Sequence, residues 1–229
     1  VTIGSLLAGW VLLAGFVAIE LRRAEPLAEL DLLKIPTFTG GNIAVFVTFQ
    51  FEKMIVFVFL ALYLQRTLSR SAIYAGIVIS VAIVPTLLTS RLAGKVRDRF
   101  GARLPLAIAL VRTAIAVVAI GLSTIVDATA VIAYVLIGLG AVMPLIAVSA
   151  RPALMGAVRP RKHGQASGVN LSLQMLGGTL AIAAGSPLLI LTGSHWPLFV
   201  LTGLGTFGAA LAAWTLIERP ARTEATDGL

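Results

Sequence analysis

Three ionisable side chains interrupt otherwise apolar stretches of this sequence: Glu52 and Lys53 within residues 38–64, and Arg112 within 104–124. A charge at the centre of a bilayer costs about 2.5–3.5 kcal/mol on insertion scales, so such residues are expected to face a cavity, a partner or a proton pathway. Glu52 is a candidate to take up and release protons. Lys53 follows it directly, and neighbours on a helix point roughly 100° apart, so the two do not face each other. Lys53 is expected to pair with an acid elsewhere or to meet substrate. A static ion pair, or a lysine reaching along the bundle, fits these residues equally. Arg112 stands about 12 Å into its helix at 1.5 Å per residue. It lines the cavity and favours anionic groups, or balances Glu52, or reaches back to lipid headgroups. Gln50, Asn170 and Gln174 are candidates to hydrogen-bond a substrate, with bonding between helices as the alternative. Phe46, Phe49, Phe57, Phe59 and Met143 suit a greasy pocket, and suit lipid-facing or packing positions as well.

No catalytic set is legible. There are no cysteines, which removes thiol chemistry, disulfides and zinc-thiolate sites. His163 and His195 fall in separate loops, so no metal pair is expected. No Ser-His-Asp set, phosphate-binding loop or paired-carboxylate site is present. The sequence thus points away from an enzyme, a cofactor and a metal.

The elements that must position these residues are long and apolar. Seven blocks stand near 3–19, 38–64, 72–92, 104–124, 129–149, 165–192 and 197–217, each long enough to cross roughly 30 Å of hydrocarbon as a helix. Membrane strands would be about 9–11 residues with two-residue alternation. Helices also satisfy every backbone group internally, as lipid requires. The expected fold is all-α, a polytopic transmembrane bundle of about seven helices. Composition agrees: 58% of residues are hydrophobic and 12% charged, against roughly 25% charged in soluble domains, and the mean hydropathy is +0.98.

The net charge of +8 sits in short clusters between the blocks rather than on an extended polar face, so nucleic acid is not expected as a partner. Arginine and lysine concentrate in alternate connections: around 22–34, 91–103, 151–162 and 219–222 on one side, with Arg66 and Arg70 alone on the other. The positive-inside rule places the rich side in the cytoplasm, the N-terminus outside and the C-terminus inside a cell membrane. The expected organisation is an extra membrane helix over 1–20, a cytoplasmic linker over 21–37, a six-helix bundle over 38–217 and a polar tail over 218–229. In the linker, Leu27, Leu30 and Leu33 suggest a short amphipathic segment ending at Pro36. The chain enters its first apolar run directly from Val1 with no basic n-region, so a signal peptide is not expected. A non-AUG start or a fragment of a longer chain is.

Residues 94–103 read Gly-Lys-Val-Arg-Asp-Arg-Phe-Gly-Ala-Arg. Gly94 and Gly101 are expected to allow tight turns at helix ends. Asp98 is expected near a helix N-terminus and paired with an arginine, as a latch that holds two helices in one conformation and releases them in another. The stretch resembles the loop signature G-x-x-x-D-R-x-G-x-R of the major facilitator superfamily, with Gly94, Asp98, Arg99, Gly101 and Arg103 matching, and it follows the second helix of the six-helix bundle as in that family.

Further segments resemble the second half of fourteen-helix drug:proton antiporters: Glu25-Pro26-Leu27 with Asp31-Leu32-Leu33, Leu62-Tyr63-Leu64-Gln65, Gly138-Leu139-Gly140 with Pro144, Gly164-Gln165-Ala166-Ser167-Gly168 with Asn170, and Gln174-Met175-Leu176-Gly177-Gly178. The block 3–19 fits the second of the two extra helices between the halves. This resemblance implies multidrug efflux: proton-coupled export of hydrophobic or cationic small molecules by alternating access, in a lipid bilayer, with an N-terminal half as the missing partner. A non-transporting remnant or an assembly partner is the alternative. A seven-helix photoreceptor would need a lysine in its last helix, and 197–217 has none.

Overall fold

The computed structural model describes Gly15 and residues 30–217. The helix expected over 1–20, most of the linker and the tail over 218–229 lie outside the described residues. Among the described residues six helices are long and apolar enough to cross a membrane: α1 Pro36–Thr67, α2 Ala72–Phe100, α3 Arg103–Ser123, α4 Thr129–Gly156, α5 Pro160–Thr192 and α6 Trp196–Leu216. The protein is an all-α, multi-pass membrane bundle.

Sequence chemistry explains where the helices begin. A 3₁₀ turn over Leu30–Lys34 carries an exposed Asp31–Lys34 ion pair. It buries Leu32 and leaves Leu33 exposed, so the amphipathic stripe expected through Leu33 is turned by one residue. Ile35 is extended (φ −80°, ψ 113°), as the residue before a proline prefers, and Pro36 opens α1. Ser71 caps α2 by accepting the backbone N–H of Tyr74 at 3.2 Å. Gly101 (φ 74°, ψ −173°) ends α2 in a conformation essentially reserved for glycine.

Four helices form a closed core in which α1 packs on α4 and α6, and α3 packs on the same two. Between α3 and α6 the backbones come close, with Ala114 and Val118 set against Gly203. Small residues at such crossings give the packing on which membrane helices rely. Helices α2 and α5 are flanks, held chiefly on α4 and α1 respectively. They are the least covered, with 17% and 22% of their apolar windows buried against 56% for α3.

The α2–α4 contact is built from two prolines. Pro85 has no N–H for the carbonyl of Val81, and α2 is interrupted at Val81–Ala82. Pro144 likewise leaves the Gly140 carbonyl of α4 without its helical donor. The Thr86 hydroxyl sits 2.8 Å from that carbonyl oxygen and 2.8 Å from Ala82 O of its own helix, so a threonine of α2 is placed to supply the donor that proline withholds, and Thr89 reaches the next carbonyl, Ala141 O, at 2.9 Å. At the opposite end from the arginine-rich connections, the Tyr63 hydroxyl donates to Asp127 Oδ1 at 2.7 Å and its ring meets His195 edge-on at 5.4 Å. Burial holds the His195 imidazole below its ordinary pKa.

Candidate functional site

The buried core has two apolar clusters, one around Tyr63, Leu136 and Phe199 and the other around Phe38, Leu110 and Leu154. Between them in sequence, on three helices, stand Thr48 and Glu52 of α1, Thr113 of α3, and Thr202 and Thr206 of α6, all buried. Glu52 is halfway along α1. The helix there departs from α-geometry: Phe46–Glu52, Ile55–Phe59 and Tyr63–Thr67 are π-helical. Such turns occur frequently at functional sites.

Glu52 is completely buried, and its Oε2 accepts from the Thr206 hydroxyl at 3.1 Å. Its Oε1 has no hydrogen-bond partner among the described residues. The Thr206 hydroxyl also lies 3.0 Å from Thr202 O. One proton cannot serve both acceptors, so Thr206 donates either to a charged Glu52 or back to its own helix while a protonated Glu52 donates to it. No cation lies within ion-pairing distance of the carboxyl among the described residues. A charge there has no counter-ion, and a bound proton removes that charge.

Lys53 leaves α1 on a different side. It lines a cavity of about 220 Å³ between α1, α2 and α4, with Phe49, Phe57, Thr86, Gly140 and Met143 among the walls. Arg112 joins neither site. It is exposed on α3 along a stripe with Ile108 and Ile115, and lines a separate groove of about 500 Å³ with Tyr134. The expectation that Arg112 balances Glu52 is therefore corrected: helical phase turns Arg112 outwards while α3 presents Thr113 inwards.

Asn170 and Gln174 do not line the Lys53 cavity. They form a buried amide chain from α5 to α1: Gln174 Nε2 donates to Asn170 Oδ1 at 2.7 Å, Asn170 Nδ2 to Asn42 Oδ1 at 2.8 Å, and Asn42 Nδ2 to Phe38 O at 2.9 Å. Gln50 is half-buried near Gly178 at the same α1–α5 contact. Of the expected greasy residues, Phe49, Phe57 and Met143 line the cavity. Phe46 packs towards Gly177, and Phe59 towards Gly185.

The basic motif joins α2 to α3. Gly94 lies inside helical α2 with open space around it rather than at a turn, and Asp98 is in the last turn of α2 rather than at a helix start. The apolar block ends at residue 92, but the backbone continues helically to Phe100. Asp98 pairs with its neighbour Arg97 at 3.2 Å, both exposed to solvent. Arg99 lies over the Phe100 ring and Arg103 over the Trp214 ring of α6 at 4.4 Å. Arg97, Asp98, Arg99 and Gly101 border a hollow of about 660 Å³ whose other walls are Thr37, Ile217 and the end of α4 around Pro152 and Gly156.

The family model of the Major Facilitator Superfamily matches residues 42–229. The chain belongs to the Major Facilitator Superfamily. It is 27% identical over 184 residues to a lincomycin resistance protein, LmrB, of Listeria monocytogenes serovar 1/2a, covering 78% of this chain and 38% of that protein. It is 35% identical over 99 residues to the LmrB of Listeria innocua serovar 6a, covering 43% of this chain and 21% of that protein. The chain thus spans well under half the length of these curated relatives.

Within this superfamily member, sequence reasoning missed Thr206, Asn42 and Thr86. Threonine in an apolar helix carries no signal, because its hydroxyl usually returns to the carbonyl four residues back, as Thr48 does to Ala44 O at 2.7 Å. Asn42 could have been found: an amide in an apolar block needs a partner as much as Asn170 does.

Proposed function

We propose that this chain is the C-terminal part of a fourteen-helix-type drug:proton antiporter, an extra helix followed by the six-helix C-terminal half. It moves hydrophobic small molecules outwards by alternating access while protons run inwards. Glu52 carries the proton, the α1–α2–α4 cavity receives substrate, and the arginine-rich end faces the cytoplasm. A six-helix N-terminal half would complete the path, and the outlying flanks α2 and α5 offer the apolar surface it would cover.

One observation carries this reading: a fully buried carboxyl halfway through the membrane bundle, with one hydrogen-bond partner and no counter-ion among the described residues. Ionisable groups at such depth mark ion pathways and proton relays. Membership of a transporter superfamily supports it, as does the name of the resistance proteins to which the chain is similar.

The test uses everted membrane vesicles from cells expressing the gene that encodes this sequence. An acid-inside pH gradient, imposed without nucleotide, is expected to drive uptake of a hydrophobic fluorescent dye, and a protonophore to abolish it. Uptake that follows nucleotide addition and ignores the gradient would refute the proposal.

A further inference from the structure

We propose that the α1–α2–α4 cavity selects organic anions, molecules with an apolar or aromatic body and an acidic group, through the ammonium of Lys53. The proposal rests on the transport reading, whose substrate class it specifies. It departs from the cation preference that the drug:proton antiporter resemblance implies.

Lys53 is the one charged residue in the described lining of the cavity. It makes no ion pair among the described residues. The two wall threonines have committed their protons: Thr48 donates to Ala44 O at 2.7 Å, and Thr86 lies 2.8 Å from Gly140 O, the carbonyl that Pro144 leaves open. Lys53 is left as the donor that a substrate would meet. A second cation, the exposed Arg151 guanidinium, stacks on the wall residue Phe49, 4.9 Å from its ring centre. The nearest acid in sequence, Glu52, is buried on another side of α1 and bonded to α6. The described lining therefore carries one positive charge, on the exposed Lys53, and no negative one. A cationic ligand would be repelled by that charge. An acid would gain a charge-assisted hydrogen bond while Phe49, Phe57 and Met143 cover its apolar body.

The experiment compares three fluorescent probes of one shape on the full chain in phosphatidylcholine nanodiscs: naphthalene-2-sulfonate, 2-naphthyltrimethylammonium and neutral 2-naphthylmethanol. The sulfonate is expected to bind at least about tenfold more tightly than the ammonium. Lys53→Met should weaken sulfonate binding roughly ten- to hundredfold, the span for loss of one hydrogen bond to a charged group, and leave the alcohol unchanged. Lys53→Glu should reverse the order of the two ions. The proposal fails if the parent binds both ions equally, or if Lys53→Met keeps sulfonate affinity while still binding the alcohol. Should the methionine variant lose the alcohol too, Lys53→Arg decides: a retained sulfonate preference supports the proposal and its loss overturns it. Proton-driven dye uptake with no charge preference would defeat this inference alone. A sulfonate preference without gradient-driven uptake would defeat the transport reading alone.

Discussion

The carbonyl oxygen of Ala82 lies 2.0 Å from the position a Cβ would take on Gly140. No side chain fits between these two backbones, and the approach places the interruption of α2 against the turn of the continuous helix α4 where Pro144 withholds a donor. Gly140→Ala is expected to push α2 away, costing at least about 1–3 kcal/mol as overpacking does, and to distort the cavity that Gly140 lines. Thermal unfolding in detergent checks it: Gly140→Ala should melt below the parent, and Gly138→Ala, in open space, should not. Equal melting of all three would contradict the α2–α4 geometry.

Asn170→Ala should leave the Asn42 amide of α1 and the Gln174 amide of α5 without their shared partner. Hydrogen bonds between membrane helices contribute about 0.6–2 kcal/mol. The loss should be measurable as reduced resistance to denaturing detergent. An Asn42→Ala,Asn170→Ala double variant should lose less than the sum of the single losses, because the pair shares one bond. Strict additivity would show that the two amides do not meet.

Gly101→Ala tests the turn of the basic motif. With φ 74° and ψ −173°, alanine there should cost about 1–3 kcal/mol of backbone strain. Gly94→Ala should be neutral for folding, since Gly94 is helical with nothing near its missing Cβ. Any effect of Gly94→Ala on transport at unchanged stability would then report a contact made with the remainder of a full transporter or in another conformation.

These contrasts show what the sequence conveyed. Hydropathy located six described helices, because the cost of an unsatisfied backbone in lipid leaves few other options. It did not locate helix ends beyond the hydrocarbon: α2 runs on to Phe100 and α4 to Gly156 through residues polar enough to read as loop. Charge in an apolar block marked Glu52 and Lys53 as chemically meaningful. Phase alone separated them, and the Thr206 partner of Glu52, 154 residues away, was not legible from any local pattern. Arg112 drew attention for the same reason as Glu52, yet its place on the outward stripe of α3 follows from packing that no single helix encodes. The π-helical turns of α1 had no sequence signature either.

Orientation across the membrane has a direct check, aided by the absence of native cysteine. Single cysteines at Arg99 and Arg161 should react with a membrane-impermeant maleimide only after the cells are opened. Cysteines at Ser69 and Asp127, at the other end of the bundle, should react in intact cells. The reverse pattern would overturn the cytoplasmic assignment of the arginine-rich end.

The central claim is that Glu52 binds the transported proton in exchange with substrate. Glu52→Gln keeps the shape of the neutral acid and holds no exchangeable charge, with Thr206 still able to bond it. In weakly buffered everted vesicles, dye uptake by the parent should be accompanied by proton efflux from the acidic lumen. The Gln variant should still bind dye yet show neither gradient-driven uptake nor dye-dependent proton movement. Proton movement of parental size in Glu52→Gln would contradict the account.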